Sequence, residues 1–203
     1  ISSRVEAFER ADLQVKVVDI ESYALERTLP FLSPEASTAD ADRPLIKGIL
    51  DIGALLTRLY VFEGEKLVFM REEEFGGNQL WLAAATQYEK TQEEILELLR
   101  TNALPADYTE AVLTPFVATT AMQVKRLMDF FYSSSHYDET PEIYLSGGPC
   151  ALPGLIPLIK EQSNIQMQLA NPFAHIKTTA NIDREALMKC APEFLTAFGL
   201  ALR

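Results

Sequence analysis

Residues 57–75, TRLYVFEGEKLVFMREEEF, hold two β-rich runs on either side of Glu63-Gly64-Glu65. Two such runs joined by a short glycine-containing connection are a hairpin signal. A third run, LIKGILDIG at 45–53, comes just before, so the three predict an antiparallel meander. Thr57, Leu59 and Val61 alternate with Arg58, Tyr60 and Phe62, and both sets are largely apolar. Both faces of the meander are therefore expected to be partly covered. At Gly76-Gly77-Asn78 the hydrophobic period changes from two to that of a helix.

The flanking segments supply candidates for the covering layers. Residues 2–13 predict a helix with Val5, Phe8 and Leu13 on one stripe, residues 14–20 a strand, and residues 21–29 a short helix. Residues 30–44 are rich in Pro, Ser, Ala and Asp and read as a solvated linker. After Asn78 comes a helix with Leu80, Ala84 and Tyr88 along one side. A second helix follows, whose Thr91 and Glu94 form a capping-box pattern. A third, over 109–134, carries a wide apolar stripe from Val112 to Phe131, with Thr120 on the same side. Residues 141–164 read as strand, glycine turn and helix, 165–173 as a strand stopped by proline, and 184–203 as a closing helix interrupted near Pro192. Strands alternating with helices argue for an α/β fold, a sheet covered by helices. The helix-rich block 76–138 reads as an inserted subdomain.

Composition narrows the function. A chain of 203 residues with 48% hydrophobic and 23% charged residues can bury a sizeable core. A net charge of −11 repels phosphate backbones, which argues against nucleic acid as a partner. Two distant cysteines and two histidines give neither a disulfide framework nor a histidine-rich metal site, and fit a reducing compartment. No apolar run approaches the roughly 18 residues that suggest a spanning helix. The chain opens at Ile1 without a methionine, in what reads as mid-helix, which suggests a fragment.

Two loops could carry chemistry. Asp51, at a strand end, could hold a metal through water. Gly53 would let backbone N–H groups approach a phosphate, and the Thr57 hydroxyl could add a contact. The plainer reading has Asp51 capping a turn and Gly53 supplying its backbone conformation. Ser146-Gly147-Gly148, between a strand and a helix, could line an adenine or a phosphate with backbone amides. It could equally be an ordinary turn, and Pro149 removes one donor. Asp19 and Glu21 could be paired carboxylates for general-base work, but a role at a helix N-terminus is simpler. Cys150 reads as a small buried thiol. Trp81, Phe116, Phe130, Phe131 and Tyr132 read as core. Gly199 within a helix suggests a close helix crossing. No catalytic constellation is readable.

In order along the chain, DIESYALER, LDIGALLTRLYVF, YLSGGPCALPGL and PEFLTAFGLALR resemble the connecting and nucleotide-facing segments of the actin-like ATPase superfamily. That likeness implies an actin-like, ribonuclease H-like sheet. Residues 1–43 would be the remnant of a first half plus a linker, and 44–75 with 139–203 the core of the second. Within the superfamily, RVEAFERADLQVKVVDIESYALER, FGGNQL after the hairpin, LPADYTEAVLTPF and LANPF resemble the PilM family of type IV pilus assembly proteins more than FtsA or the cytoplasmic domain of GspL.

The resemblance implies a cytoplasmic scaffold at the inner face of the bacterial inner membrane. It would recruit the cytoplasmic tail of PilN among other pilus alignment proteins, with self-association as a further expectation. It also implies an ATP/Mg2+ site using Asp51, Gly53, Ala54, Thr57, Ser146, Gly147 and Gly148, but one that has eroded. Leu55 and Leu56 replace small or hydroxyl residues and are expected to fill part of the loop with core. Leu96 and Leu99 stand where the family places a ribose-binding acid and an adenine-contacting lysine, with Arg100 adjacent. Each lost polar partner removes about 1–3 kcal/mol, so weak or vestigial ATP binding is expected. A working ATPase of the same fold is the alternative.

Overall fold

The computed structural model describes residues 1–33, 45–101, 103–137, 141–163 and 165–203. Most of the expected linker, 34–44, lies outside these residues. The meander forms as expected: β1 (Ile46–Ile52) pairs antiparallel with β2 (Thr57–Glu63), and β2 with β3 (Lys66–Glu73). The turn between β2 and β3 carries Gly64 at φ +61°, a left-handed position that suits glycine. Two further strands, β4 (Glu142–Ser146) and β5 (Met167–Leu169), lie parallel to β1, giving the order β3-β2-β1-β4-β5. β5 is shorter than the expected 165–173.

The central strands are covered on both faces, which is why β1 and β2 read as nearly continuous apolar runs. On one face Leu50, Ile52, Leu59, Val61, Ile143 and Leu145 share a cluster with residues of the helical block. That block comprises α3 (Asn78–Gln87), α4 (Gln92–Arg100) and α5 (Thr114–Ser134), which is preceded by a π-helical turn at Thr109–Leu113. α6 (Leu155–Ser163) adds Leu155 and Ile159 to the same cluster. The stripe expected on the long helix is the one buried, from Val112 through Thr120 to Phe131. The Thr91–Glu94 capping box opens α4. On the other face Ile49, Tyr60, Phe62 and Tyr144 pack against Leu25 and Leu29 of α2 (Glu21–Leu32) and Leu195 of α8 (Leu195–Ala201).

The N-terminal segment departs from expectation. α1 (Ser2–Arg10) buries no residue, and Phe8 and Leu13 are exposed. Residues 14–20 run outside any ladder, with Val17, Val18 and Ile20 exposed. Their β-forming composition needs a strand to pair with, and no described strand lies beside them. At the other end the closing helix divides as Pro192 suggested: α7 (Arg184–Cys190), a 3-10 turn at Ala191–Phe194, then α8.

α2 is tied down by charge and by contact. Asp19 accepts from Ile20 N, pairs with Arg27, and meets Arg203 at 3.0 Å. Led by the Ile20 N–H, these donors hold its carboxyl below the ordinary range. Glu21 accepts from Arg58 at 3.2 Å and from Tyr60 Oη at 3.0 Å, joining α2 to the sheet. The two carboxylates thus anchor an element. Gly199 is the close crossing its position implied: α8 meets α2 so tightly that a Cβ there would lie 1.9 Å from Ala24 O. Arg27 Nε also donates to Gly199 O at 3.0 Å. Helix propensity alone would make Gly199→Ala stabilising by about 1 kcal/mol. The clash with backbone outweighs this, so urea unfolding of Gly199→Ala should show a net loss of about 1–3 kcal/mol; a neutral or stabilised variant would contradict the crossing.

Candidate functional site

β1 and β4 run parallel side by side, so their carboxyl ends, Asp51 and Ser146, finish together. In open α/β sheets, ligand crevices lie outside the carboxyl ends of parallel strands. Here the β1–β2 turn and the turn after β4 face the start of α3 across a cavity of about 340 Å3. Its lining is Gly53, Ala54, Gly77, Asn78, Leu80, Trp81, Gly148, Pro149 and Leu152.

Hydrogen bonds within the protein close the turn. Gly53 N donates to Leu56 O at 2.9 Å. The Gly53 and Ala54 carbonyls accept from Gly77 N and Asn78 N, each at 2.8 Å, and Gly76 N donates to Gln79 Oε1 at 2.9 Å. Gly76 has to be glycine, because a Cβ there would lie 2.5 Å from Gly53 O. Gly147, at φ +98°, passes so close to β1 that a Cβ would lie 2.1 Å from Ile52 O. Its N–H and the Ser146 hydroxyl both donate to Pro192 O, at 3.0 and 2.9 Å, tying the second turn to the α7–α8 break.

Of the residues expected at a nucleotide site, Gly53, Ala54 and Gly148 reach the cavity. Asp51, Ser146 and Gly147 are not among its lining residues. The buried Thr57 is turned away, its hydroxyl donating to Phe75 O at 2.7 Å. That bond holds the chain just before Gly76, which leaves Thr57 no proton to offer a ligand. Arg100 lies on the exposed side of α4, 3.8 Å from Glu97, and takes no part in the lining. Leu96 and Leu99 are not in the lining either, and Leu55 is 66% exposed instead of filling the loop. The turn is closed by backbone bonds, and Leu55 points outward from it. Sequence reasoning missed Asn78, Leu80, Trp81, Pro149 and Leu152. FGGNQL was a visible signal for this wall, but Trp81 read as core.

Electrostatics do not favour an anion. No charged side chain stands in the lining among the described residues. Asp51 lies nearby with its carboxyl pushed above the ordinary range, first by desolvation and then by Glu21, against opposing pulls from Ser146 and Arg58. Arg58 is engaged by Glu21 and Glu72. No three His, Cys, Asp or Glu side chains cluster as a metal site would need, among the described residues. A magnesium triphosphate asks for cations, open backbone donors and an accessible carboxylate, and this donor set suits it poorly. Cys150 is buried, donates to Ser146 O at 3.0 Å and has its thiol pushed up by desolvation, which leaves it unsuited to act as a nucleophile.

The sequence profile of the family described as type IV pilus assembly protein PilM matches residues 1–203. This chain belongs to the PilM family. Its fold is similar to the structure titled PilM-PilN type IV pilus biogenesis complex, with a TM-score of 0.80 and 25% identity over 100% of this chain and 56% of that one. It is also similar to the ethanolamine utilization protein EutJ of Carboxydothermus hydrogenoformans (TM-score 0.65, 21% identity, 97% of this chain and 58% of that one). A third likeness is to MreB5 of Spiroplasma citri (TM-score 0.59, 11% identity, 99% and 63%). The last two show the fold alone, which is actin-like. The chain spans a little over half the length of these three proteins. No helix among the described residues is long and apolar enough to cross a membrane.

A carboxyl with a raised folded-state pKa lowers stability once ionised. The penalty stands above the folded pKa and vanishes below the ordinary value of 3.8. In urea unfolding, Asp51→Asn should therefore be more stable than the parent at pH 7, with the gain fading as pH falls towards 3.8. Destabilisation at pH 7 would show instead that the ionised carboxylate is favourably held.

Proposed function

We propose that this chain is part of a cytoplasmic, actin-like scaffold of type IV pilus assembly. It works by binding the cytoplasmic tail of its PilN partner at the inner face of the inner membrane, and it binds ATP weakly. The observation that carries this reading is the likeness, over the whole chain, to a PilM-PilN complex. The charge balance supports it. Short cytoplasmic segments next to a membrane span tend to be rich in Lys and Arg, and a chain of net charge −11 attracts such a segment. The uncharged cavity lining and the engaged backbone donors of the β1–β2 turn support weak nucleotide affinity and a role that does not depend on turnover.

The test is co-purification of the gene product with the cytoplasmic tail of PilN from the same organism, followed by titration of the labelled tail at increasing salt. A saturable complex that weakens with ionic strength is expected. No complex at low salt would overturn the partner assignment. In parallel, thermal melting with Mg-ATP should show no saturating shift at micromolar nucleotide; a saturating shift there would favour a working ATPase.

A further inference from the structure

We propose that the groove between the start of α2 and the β2–β3 turn docks an amphipathic helix of a partner protein, one whose apolar stripe is edged by Lys or Arg. The groove shares no lining residue with the cavity beside Gly53. The inference rests on this groove and does not depend on the PilN assignment.

The groove encloses about 700 Å3. Ile20, Tyr23 and Glu26 line it from the helix, and Glu65, Lys66 and Leu67 from the turn. Residues 20, 23 and 26 are three apart, so they share one face of the helix start. The opposite face of α2 is spent on the core, where Ala24, Leu25, Thr28 and Leu29 are buried. Ile20 and Tyr23 are left 60% and 54% exposed. Large apolar side chains that face water together mark an interaction site, and Tyr is among the residues that carry most energy at interfaces. Both walls are fixed before a partner arrives. Asp19 and Glu21 hold the start of α2 through Arg27, Arg58 and Tyr60, and Gly64 at φ +61° makes the tight turn of the hairpin. A preformed groove spares a partner part of the ordering cost of binding.

Charge selects the occupant. Each wall carries one acid, Glu26 or Glu65, against the single cation Lys66. Neither acid forms an ion pair among the described residues. A helix laid in the groove sets apolar residues at i, i+3 and i+4 against Ile20, Tyr23 and Leu67. Cations along the edges of that stripe then meet an acid on either side. The net charge of −11 steers a cationic segment towards the chain and an acidic one away.

The 203-residue chain is titrated with a synthetic Leu/Lys peptide patterned as an amphipathic helix. Two controls keep its length: one alternates Leu and Lys, and one keeps the helical pattern with Glu in place of Lys. NMR amide shifts locate the contact, and sedimentation follows the oligomeric state. Saturable binding is expected, with shifts centred on residues 20–26 and 64–67 and both controls at least about tenfold weaker. Tyr23→Ser and Glu65→Lys, each at an exposed position, should each weaken the Leu/Lys peptide at least about fivefold while the chain stays folded. No binding, equal affinity for the alternating peptide, or shifts centred elsewhere would overturn the proposal. So would unchanged affinity in either folded variant. A dimer that Tyr23→Ser disperses would assign the groove to a second copy of the chain and also overturn it.

Discussion

Two backbone hydrogen bonds hold the candidate-site end of this fold together, Gly77 N to Gly53 O and Asn78 N to Ala54 O. Each has a net worth of about 0.5–1.5 kcal/mol, but their geometric effect is larger. They fasten the turn after the central strand to the first turn of α3, and so fix where the helical layer begins relative to the sheet. The same contact closes one wall of the cavity. It also settles the local electrostatics, because the N-terminus of α3 has no side-chain cap and is met instead by carbonyls of the neighbouring turn. An arrangement that could have cradled an anion thus serves as a joint between sheet and helices.

The opposite face of the sheet is organised by charge and by one close crossing. Asp19 gathers Arg27, Arg203 and the Ile20 amide, while Glu21 reaches Arg58 and Tyr60 on the sheet. Gly199 lets α8 lie against the backbone of α2. Pro192 O links the two faces, accepting from Ser146 and Gly147 at the end of β4 just before α8 begins. The turn after β4 and the 3-10 turn that leads into α8 are therefore joined through this carbonyl, among other contacts.

Much of the fold was legible where one local signal was enough. The hairpin at Gly64, the capping box at Thr91, the stripe from Val112 to Phe131 and the crossing at Gly199 each follow from a residue pattern whose physical meaning is local. Residues 14–20 show the limit: alternation and β-branched residues give strand character, but a strand exists only where another pairs with it. The candidate site was legible as backbone and less so as side chains. Gly53, Ala54 and Gly148 reach the cavity because glycine turns at strand ends go where the sheet directs them. Thr57 and Arg100 depend on side-chain orientation and helix phase, which short motifs do not carry. Trp81 and Leu152 joined the lining through a packing of α3 against the turn after β4 that leaves no mark in either segment alone.

The central claim is that the β1–β2 turn is latched to α3 by the Gly77 and Asn78 amides and is not held open for a phosphate. Amide hydrogen exchange at these two positions, followed by NMR with and without Mg-ATP, tests it most directly. The account predicts slow exchange at both, comparable with hydrogen-bonded helix amides and unchanged by nucleotide. Exchange as fast as in exposed loops, or protection that arises only when Mg-ATP is added, would contradict it.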